Sequence, residues 1–189
     1  MKKFELTAEF VTNVFGKKLF RIKALVAFGN VEKGELGGFI EKEDNLSHDD
    51  NAWVYGNAQV FGNAQISGNA QVSGNAQVSG NARVSGNARV YGNAWVFGNA
   101  QVSGNARVSG NARVYDDADY AVVKGFGRCF RTTTFFRCKD KILRVQCGCF
   151  YGDLAQFREI VKKTHGDSKY AKEYLAIADL MELHFSDEY

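Results

Sequence analysis

The chain carries the motif Asn-Ala-x-Val-x-Gly through its centre with a strict six-residue period. The branched aliphatic falls at Val54, Val60, Ile66, Val72, Val78, Val84, Val90, Val96, Val102, Val108 and Val114. Alanine keeps the same period from Ala52 to Ala118, asparagine from Asn51 to Asn111, and glycine from Gly56 to Gly110. Self-similarity at a fixed short period specifies a solenoid, because each unit buries its apolar face only against its neighbours. Valine at the recurring position favours strand over helix. Three such units make a triangular turn of 18 residues, with the aliphatic pointing into the bore and a small residue two positions before it. Gly-Asn falls at the corner, where positive φ is needed; glycine adopts it freely and asparagine better than most residues. Stacked asparagines are expected to hydrogen-bond from turn to turn.

About 70 residues follow this pattern, and it resembles the hexapeptide-repeat family. The resemblance implies a mainly β fold, a left-handed parallel β-helix of nearly four turns. At about 4.8 Å per strand spacing such a prism is roughly 19 Å long. Its open ends are sheet edges that need covering. Residues 1–45 are expected to form an N-terminal β cap, 46–120 the solenoid, and 121–189 a C-terminal unit of strands and two helices. In the cap, Phe4 to Phe10 and Leu19 to Leu25 read as strands around a turn at Phe15-Gly16-Lys17-Lys18. Ile40 and Leu46 are six apart, but Val54 breaks phase by two, which predicts an irregular first rung. In the C-terminal unit, Tyr120 to Lys124, Arg128 to Arg137 and Lys141 to Cys147 read as strands. Asp153-Leu154-Ala155-Gln156 resembles a capping box opening a helix that ends near His165-Gly166. Asp167 or Ser168 caps a second helix, whose stripe of Tyr170, Tyr174, Ile177, Leu180, Met181 and His184 is expected to pack on the strands.

Bulk properties exclude several classes. A net charge of +3 demands neither a polyanion nor a membrane surface. No apolar run approaches the roughly 18 residues of a membrane span. Met1 to Leu6 meets an acid at Glu5 and lacks an apolar core, so no secretory signal is expected. Cys129, Cys138, Cys147 and Cys149 have spacers of eight, eight and one, unlike paired Cys-x-x-Cys zinc ligands. Reduced, buried thiols and a cytoplasmic location are the expectation, with no metal and no cofactor.

The 18-residue wrap sorts outward residues onto three faces. Trp53, Tyr55, Arg89, Tyr91 and Arg107 share the first; Phe61, Trp95, Phe97, Arg113 and Tyr115 share the second. The third, with Gln65, Arg83 and Gln101, is free of aromatics until Tyr120. Outward aromatics mark a surface to be buried, by the chain's own ends, by a second copy in a homodimer or homotrimer, or by a foreign partner. These ten residues on the first two faces are the candidate interaction set. A second candidate is the basic segment, where Lys124, Arg128, Arg131, Arg137, Lys139, Lys141 and Arg144 meet a single acid, Asp140, and interleave with phenylalanines. Such a segment is able to hold phosphates and stack bases.

Many proteins resembling this repeat are acyltransferases, whose chemistry needs a histidine base and loops interrupting the repeat. From Asn51 to Arg113 there is no His, Asp, Glu, Lys or Cys and no interruption. His48 is the one candidate base near a rung. An enzyme is therefore not expected. Phe39-Ile40 after Leu36-Gly37-Gly38, then Asn45-Leu46-Ser47-His48, resembles the opening of phage and prophage hexapeptide-repeat proteins. Cys149 to Leu154 with Phe157, Thr164 to Asp167, and Glu173-Tyr174 resemble their C-terminal unit. The resemblance implies phage origin more than activity; with the missing catalytic set and the uninterrupted solenoid, the expectation is a phage-type, non-catalytic protein that binds and inhibits a host bacterial factor, a defence component or its small ligand, in the host cytoplasm. Acyl transfer and nucleic-acid binding through 124–144 are the alternatives.

Overall fold

The computed structural model describes residues 1–186 of the 189-residue chain. Its centre is a parallel β-solenoid of eleven two-residue strands, β4 (Trp53–Val54) to β14 (Arg113–Val114), one per repeat. Equivalent residues pair eighteen positions apart: Val54 with Val72, Val72 with Val90, and Val90 with Val108. The strands stack into three sheets, one for each side of the prism. Every repeat alanine from Ala52 to Ala112 and every repeat valine from Val54 to Val114 is fully buried. A fully buried valine contributes about 1.5 kcal/mol or more. An exposed side-chain hydrogen bond contributes about 0.5 kcal/mol, so the bore and not the surface ladder dominates stability. That ladder nonetheless forms. Asn51, Asn69, Asn87 and Asn105 link in series at one corner, and Asn63, Asn81 and Asn99 at another.

The corner assigns its roles more sharply than the repeat suggested. The glycines from Gly56 to Gly110 all lie at φ between 60° and 74°, whereas no repeat asparagine has positive φ. Glycine alone takes the left-handed turn, and asparagine supplies the ladder.

The phase break at the first rung has a local cause. Ile40 stacks on Val60 and Leu46 on Ile66, twenty positions apart instead of eighteen. The two extra residues are absorbed before Val54, around Asp50, which sits at φ 54°. Because Phe39 and Ile40 already pair with Gln59 and Val60, the solenoid ladder begins before position 46, inside the expected cap.

The N-terminal cap is an antiparallel hairpin, β1 (Phe4–Thr12) and β2 (Lys18–Ala24), extended by β3 (Leu36–Ile40). Asn13 Oδ1 accepts from the amides of Phe15 and Lys17 and so closes the turn. The strand β3 is antiparallel to β2 yet parallel to the next rung. It therefore converts the solenoid edge into an ordinary sheet. Beneath the cap, Lys3 is buried and its Nζ donates to the carbonyls of Asp49, Asp50 and Ala52. Burial lowers its pKa to about 8, against the pull of Asp50 and Asp49.

The C-terminal unit is an antiparallel meander, β15 (Tyr120–Phe126), β16 (Arg131–Arg137), β17 (Leu143–Cys147) and β18 (Phe150–Asp153), followed by α1 (Leu154–His165) and α2 (Lys169–His184). The short β18 was hidden in the sequence by its glycine and its length. Asp153 and Gln156 form the expected capping box, and Ser168 caps α2. Alternation along β16 serves two cores. Phe136 joins the solenoid's core, while Phe135 packs among Leu154, Phe157 and Ala178 under the helices. In the α2 stripe Tyr174, Ile177 and Met181 are buried, but Leu180 is 56% exposed. The stripe is thus narrower than its spacing implied.

Candidate functional site

The outward aromatics do not form one open surface. Trp53 is fully buried beneath the cap, with Phe4 at 6.2 Å and Phe28 at 5.4 Å between ring centroids. Phe61 is buried with Leu19 and Phe39. Both leave the candidate interaction set because the chain's own end already occupies them. Tyr55 is half-buried against the solenoid core. The second face keeps an aromatic ridge in which Phe15 meets Trp95 at 6.2 Å, Trp95 meets Phe97 at 4.8 Å, and Phe97 meets Tyr115 at 5.2 Å. Arg113 is occupied there: its Nη1 donates to Ala112 O and Asn93 O, and its guanidinium lies over Trp95.

The basic segment likewise divides. Arg137 pairs with Asp119 and donates to Phe185 O, and Arg144 pairs with Asp140 at 2.8 Å. Lys139 and Lys141 flank Asp140 in the turn, and Lys124 is exposed on β15. Arg128 and Arg131 lie elsewhere, at the β15–β16 tip.

Arg89 and Arg107 on the solenoid meet Arg131 and Arg128 on the C-terminal unit along one groove. Its first depression is bounded by Ser73, Arg89, Tyr91 and Arg107; its second by Asn105, Arg107, Arg131, Thr132, Gly148 and Cys149. Arg107 belongs to both. The groove ends in an apolar pocket of about 370 Å³, which shares Arg131 and Cys149 with the second depression. Arg128, Cys129 and His165 also line that pocket, whose walls are Phe150, Phe157, Ile160, Val161, Thr164 and Tyr174. All four guanidinium groups belong to exposed residues, and among the described residues none of the four makes an ion pair. Uncompensated arginines with fork geometry suit phosphate, sulfate or carboxylate groups.

Local folding explains this alignment. The 18-residue register places Arg89 directly beside Arg107 on paired strands. The C-terminal sheet is keyed onto the same face. Buried Gln146 accepts from Tyr91 Oη and Ser109 Oγ, each at 3.3 Å, and Thr134 Oγ1 accepts from the Arg107 amide at 3.0 Å. Tyr91 is therefore a tether instead of a free contact. Gly148, at φ 60°, lies under Arg131, whose Nη1 a Cβ there would strike.

Tyr174 is held in neutral, hydrogen-bonded form at the pocket wall. Burial pushes the Tyr174 hydroxyl up to about 12, with Cys147 adding to the shift. This hydroxyl donates to Phe126 O, and Cys147 Sγ accepts from Thr133 Oγ1 at 3.2 Å. The expectation of buried thiols holds for Cys138 alone. Cys129 and Cys149 are exposed at the groove, in the turns between β15 and β16 and between β17 and β18, and Cys147 is half-buried. No three His, Cys, Asp or Glu side chains converge as metal ligands among the described residues. His48 is held by Phe4, stacked at 4.3 Å, and its Nδ1 accepts the Lys3 amide at 3.1 Å. None of the described helices is long and apolar enough to cross a membrane.

Sequence reading found the four arginines but placed them in two unrelated sets. It missed the pocket walls, for which the only signal was the 3–4 residue spacing of Phe157, Ile160, Val161 and Thr164 along α1.

The repeat is one seen in other proteins. Residues 58–74, 64–80, 76–90, 82–98, 88–104 and 100–116 match the YdcK β-solenoid repeat. The solenoid over these residues is thus of the YdcK β-solenoid repeat type, flanked by two non-repeating ends. No curated protein matches the chain.

Proposed function

We propose that this is a non-catalytic binding protein of phage type, which counters a bacterial host factor by holding an anionic group of that factor, or of its ligand, in the cationic groove. The observation that carries the reading is the line of four arginines, Arg89, Arg107, Arg131 and Arg128, which form no ion pair among the described residues and lead into an apolar pocket. The solenoid supports this role because its register fixes the spacing of Arg89 and Arg107, which lowers the ordering cost of binding. The host cytoplasm is the compartment in which such a factor would be met. Affinity capture from a bacterial host extract tests it, comparing the wild-type chain with the Arg107→Ala/Arg131→Ala double variant. A host component retained by the wild type and lost by the variant is the expected result. Recovery of the same set with both sinks the proposal.

A nucleic-acid reading is favoured by one observation. Phe126 and Phe130, 41% and 66% exposed, sit beside Lys124 and Arg128 at the β15–β16 tip. Exposed rings next to cations suit single-stranded bases and phosphates. Binding to oligonucleotides that weakens steeply with salt is the expected signature. Self-association belongs to the proposal through the ridge of Phe15, Trp95, Phe97 and Tyr115. Changing Trp95 and Phe97 to serine lowers the mass in light scattering if a homodimer or homotrimer forms there; an unchanged mass removes the ridge from the account.

A further inference from the structure

We infer that the terminal pocket and the adjoining arginines form a binding site for an aromatic organic phosphate, a flat ring of nucleobase or naphthalene size carrying one phosphate group. The inference deepens the proposed function and rests on it for the claim that the groove is where ligands are held.

The shape sets the first limit. A volume of about 370 Å³ lies at the small end of ligand pockets, enough for a ring system and too little for a long chain. The walls set the second. Phe150 and Phe157 are 5.6 Å apart between centroids and Phe157 and Tyr174 5.8 Å, and Ile160 and Val161 of α1 complete an apolar side. These rings already pack on one another in tilted and edge-on pairs, so a ligand ring would lie against the surface they present to the pocket and not between them. Charge sets the third. Arg128 and Arg131 line the pocket and Arg107 the adjoining depression. Among the described residues no carboxylate lines either the pocket or that depression. Several forks in one site match a tetrahedral dianion better than a single carboxylate. Gly148 keeps the backbone low where the phosphate meets Arg131, since any Cβ there displaces the guanidinium. The pocket therefore meets two demands, with apolar walls for a ring and guanidinium groups for an anion. A ligand that is both aromatic and anionic satisfies both.

A nucleotide and a phosphorylated arene share this chemistry, so both are used as probes. Isothermal titration of the full chain with 1-naphthyl phosphate is expected to show micromolar binding at one site. Inorganic phosphate and 1-naphthol are each expected to bind at least tenfold more weakly. Arg131→Ala and Ile160→Asp change exposed residues of the site, one cationic and one apolar, and are expected to weaken 1-naphthyl phosphate about tenfold. Arg83→Ala, on the third face of the solenoid, is expected to leave binding unchanged, and circular dichroism checks that each variant keeps the fold. Adenosine monophosphate binding as tightly as 1-naphthyl phosphate assigns the site to nucleotides; naphthyl phosphate alone assigns it to other arene phosphates, and either result supports the inference. Absence of binding by both probes overturns it. So does equal binding by 1-naphthol or by inorganic phosphate, or unchanged binding in the Arg131 and Ile160 variants. Host capture without probe binding leaves the proposed function standing and this inference refuted, whereas probe binding without host capture does the reverse.

Discussion

Two glycines in the same repeat position isolate what one solenoid turn contributes to the next. Gly80 and Gly104 have nearly the same backbone, at φ 68° and 66°. Their surroundings differ. A Cβ on Gly80 would lie 2.9 Å from both the N and the O of Gly98 in the turn above, whereas a Cβ on Gly104 meets nothing within 4 Å. Alanine at Gly104 therefore bears only the left-handed conformation, about 1–2 kcal/mol, partly offset by about 0.4–1 kcal/mol from the stiffer unfolded chain. A net loss of about 1 kcal/mol is expected. Alanine at Gly80 bears the same strain and must also push apart two backbones, an overpacking cost of about 1–3 kcal/mol. The expected order is thus Gly80→Ala well below Gly104→Ala, separated by about 1–3 kcal/mol. Urea unfolding followed by circular dichroism reads this as a difference in midpoint, provided the slopes agree. Equal losses for the two variants would refute the reasoning, because they would mean that the turns do not press on one another at the corners.

Other consequences follow from individual residues. Gln146→Ala leaves Tyr91 and Ser109 without their shared acceptor, so it is expected to cost about 1–3 kcal/mol and to speed proteolysis between the solenoid and the C-terminal sheet. Trp53→Ala empties the space under the cap and is expected to cost about 3–5 kcal/mol, read by thermal unfolding. Lys3 loses its proton near pH 8 when folded but near pH 10.5 when unfolded. Between those values the unfolded chain binds more protons, so stability rises with pH relative to a Lys3→Met variant; a flat difference from pH 8 to 10 contradicts the burial of Lys3 as a charged group.

The solenoid was legible because its period is its structure: each inward Val and Ala repeats one packing environment. The two-residue phase break before Val54 was also visible, and it marks where Asp50 turns the chain. Less legible was everything set by contacts between distant segments. Trp53 and Phe61 occupy the same register as solvent-facing residues on other rungs, and only the fold-back of Phe4, Phe28 and Leu19 decides that they are buried. The groove has the same origin. Arg89 and Arg107 are separated from Arg128 and Arg131 in the chain, and their alignment depends on Gln146 and Thr134 keying a non-repeating sheet onto a repeating face. Cys129 and Cys149 were misjudged for a related reason, since both fall in the turns of the C-terminal meander, where the fold and not composition decides exposure.

The central claim is that the groove is the binding surface, and a hydrogen-exchange footprint tests it most directly. The chain is compared free and saturated with the component it captures from host extract. The account predicts slowed exchange at Arg131 and Thr132, at the Gly148 turn and along Ile160 to His165, with the third solenoid face around Arg83 unchanged. Protection confined to that third face, or to the N-terminal hairpin, contradicts it.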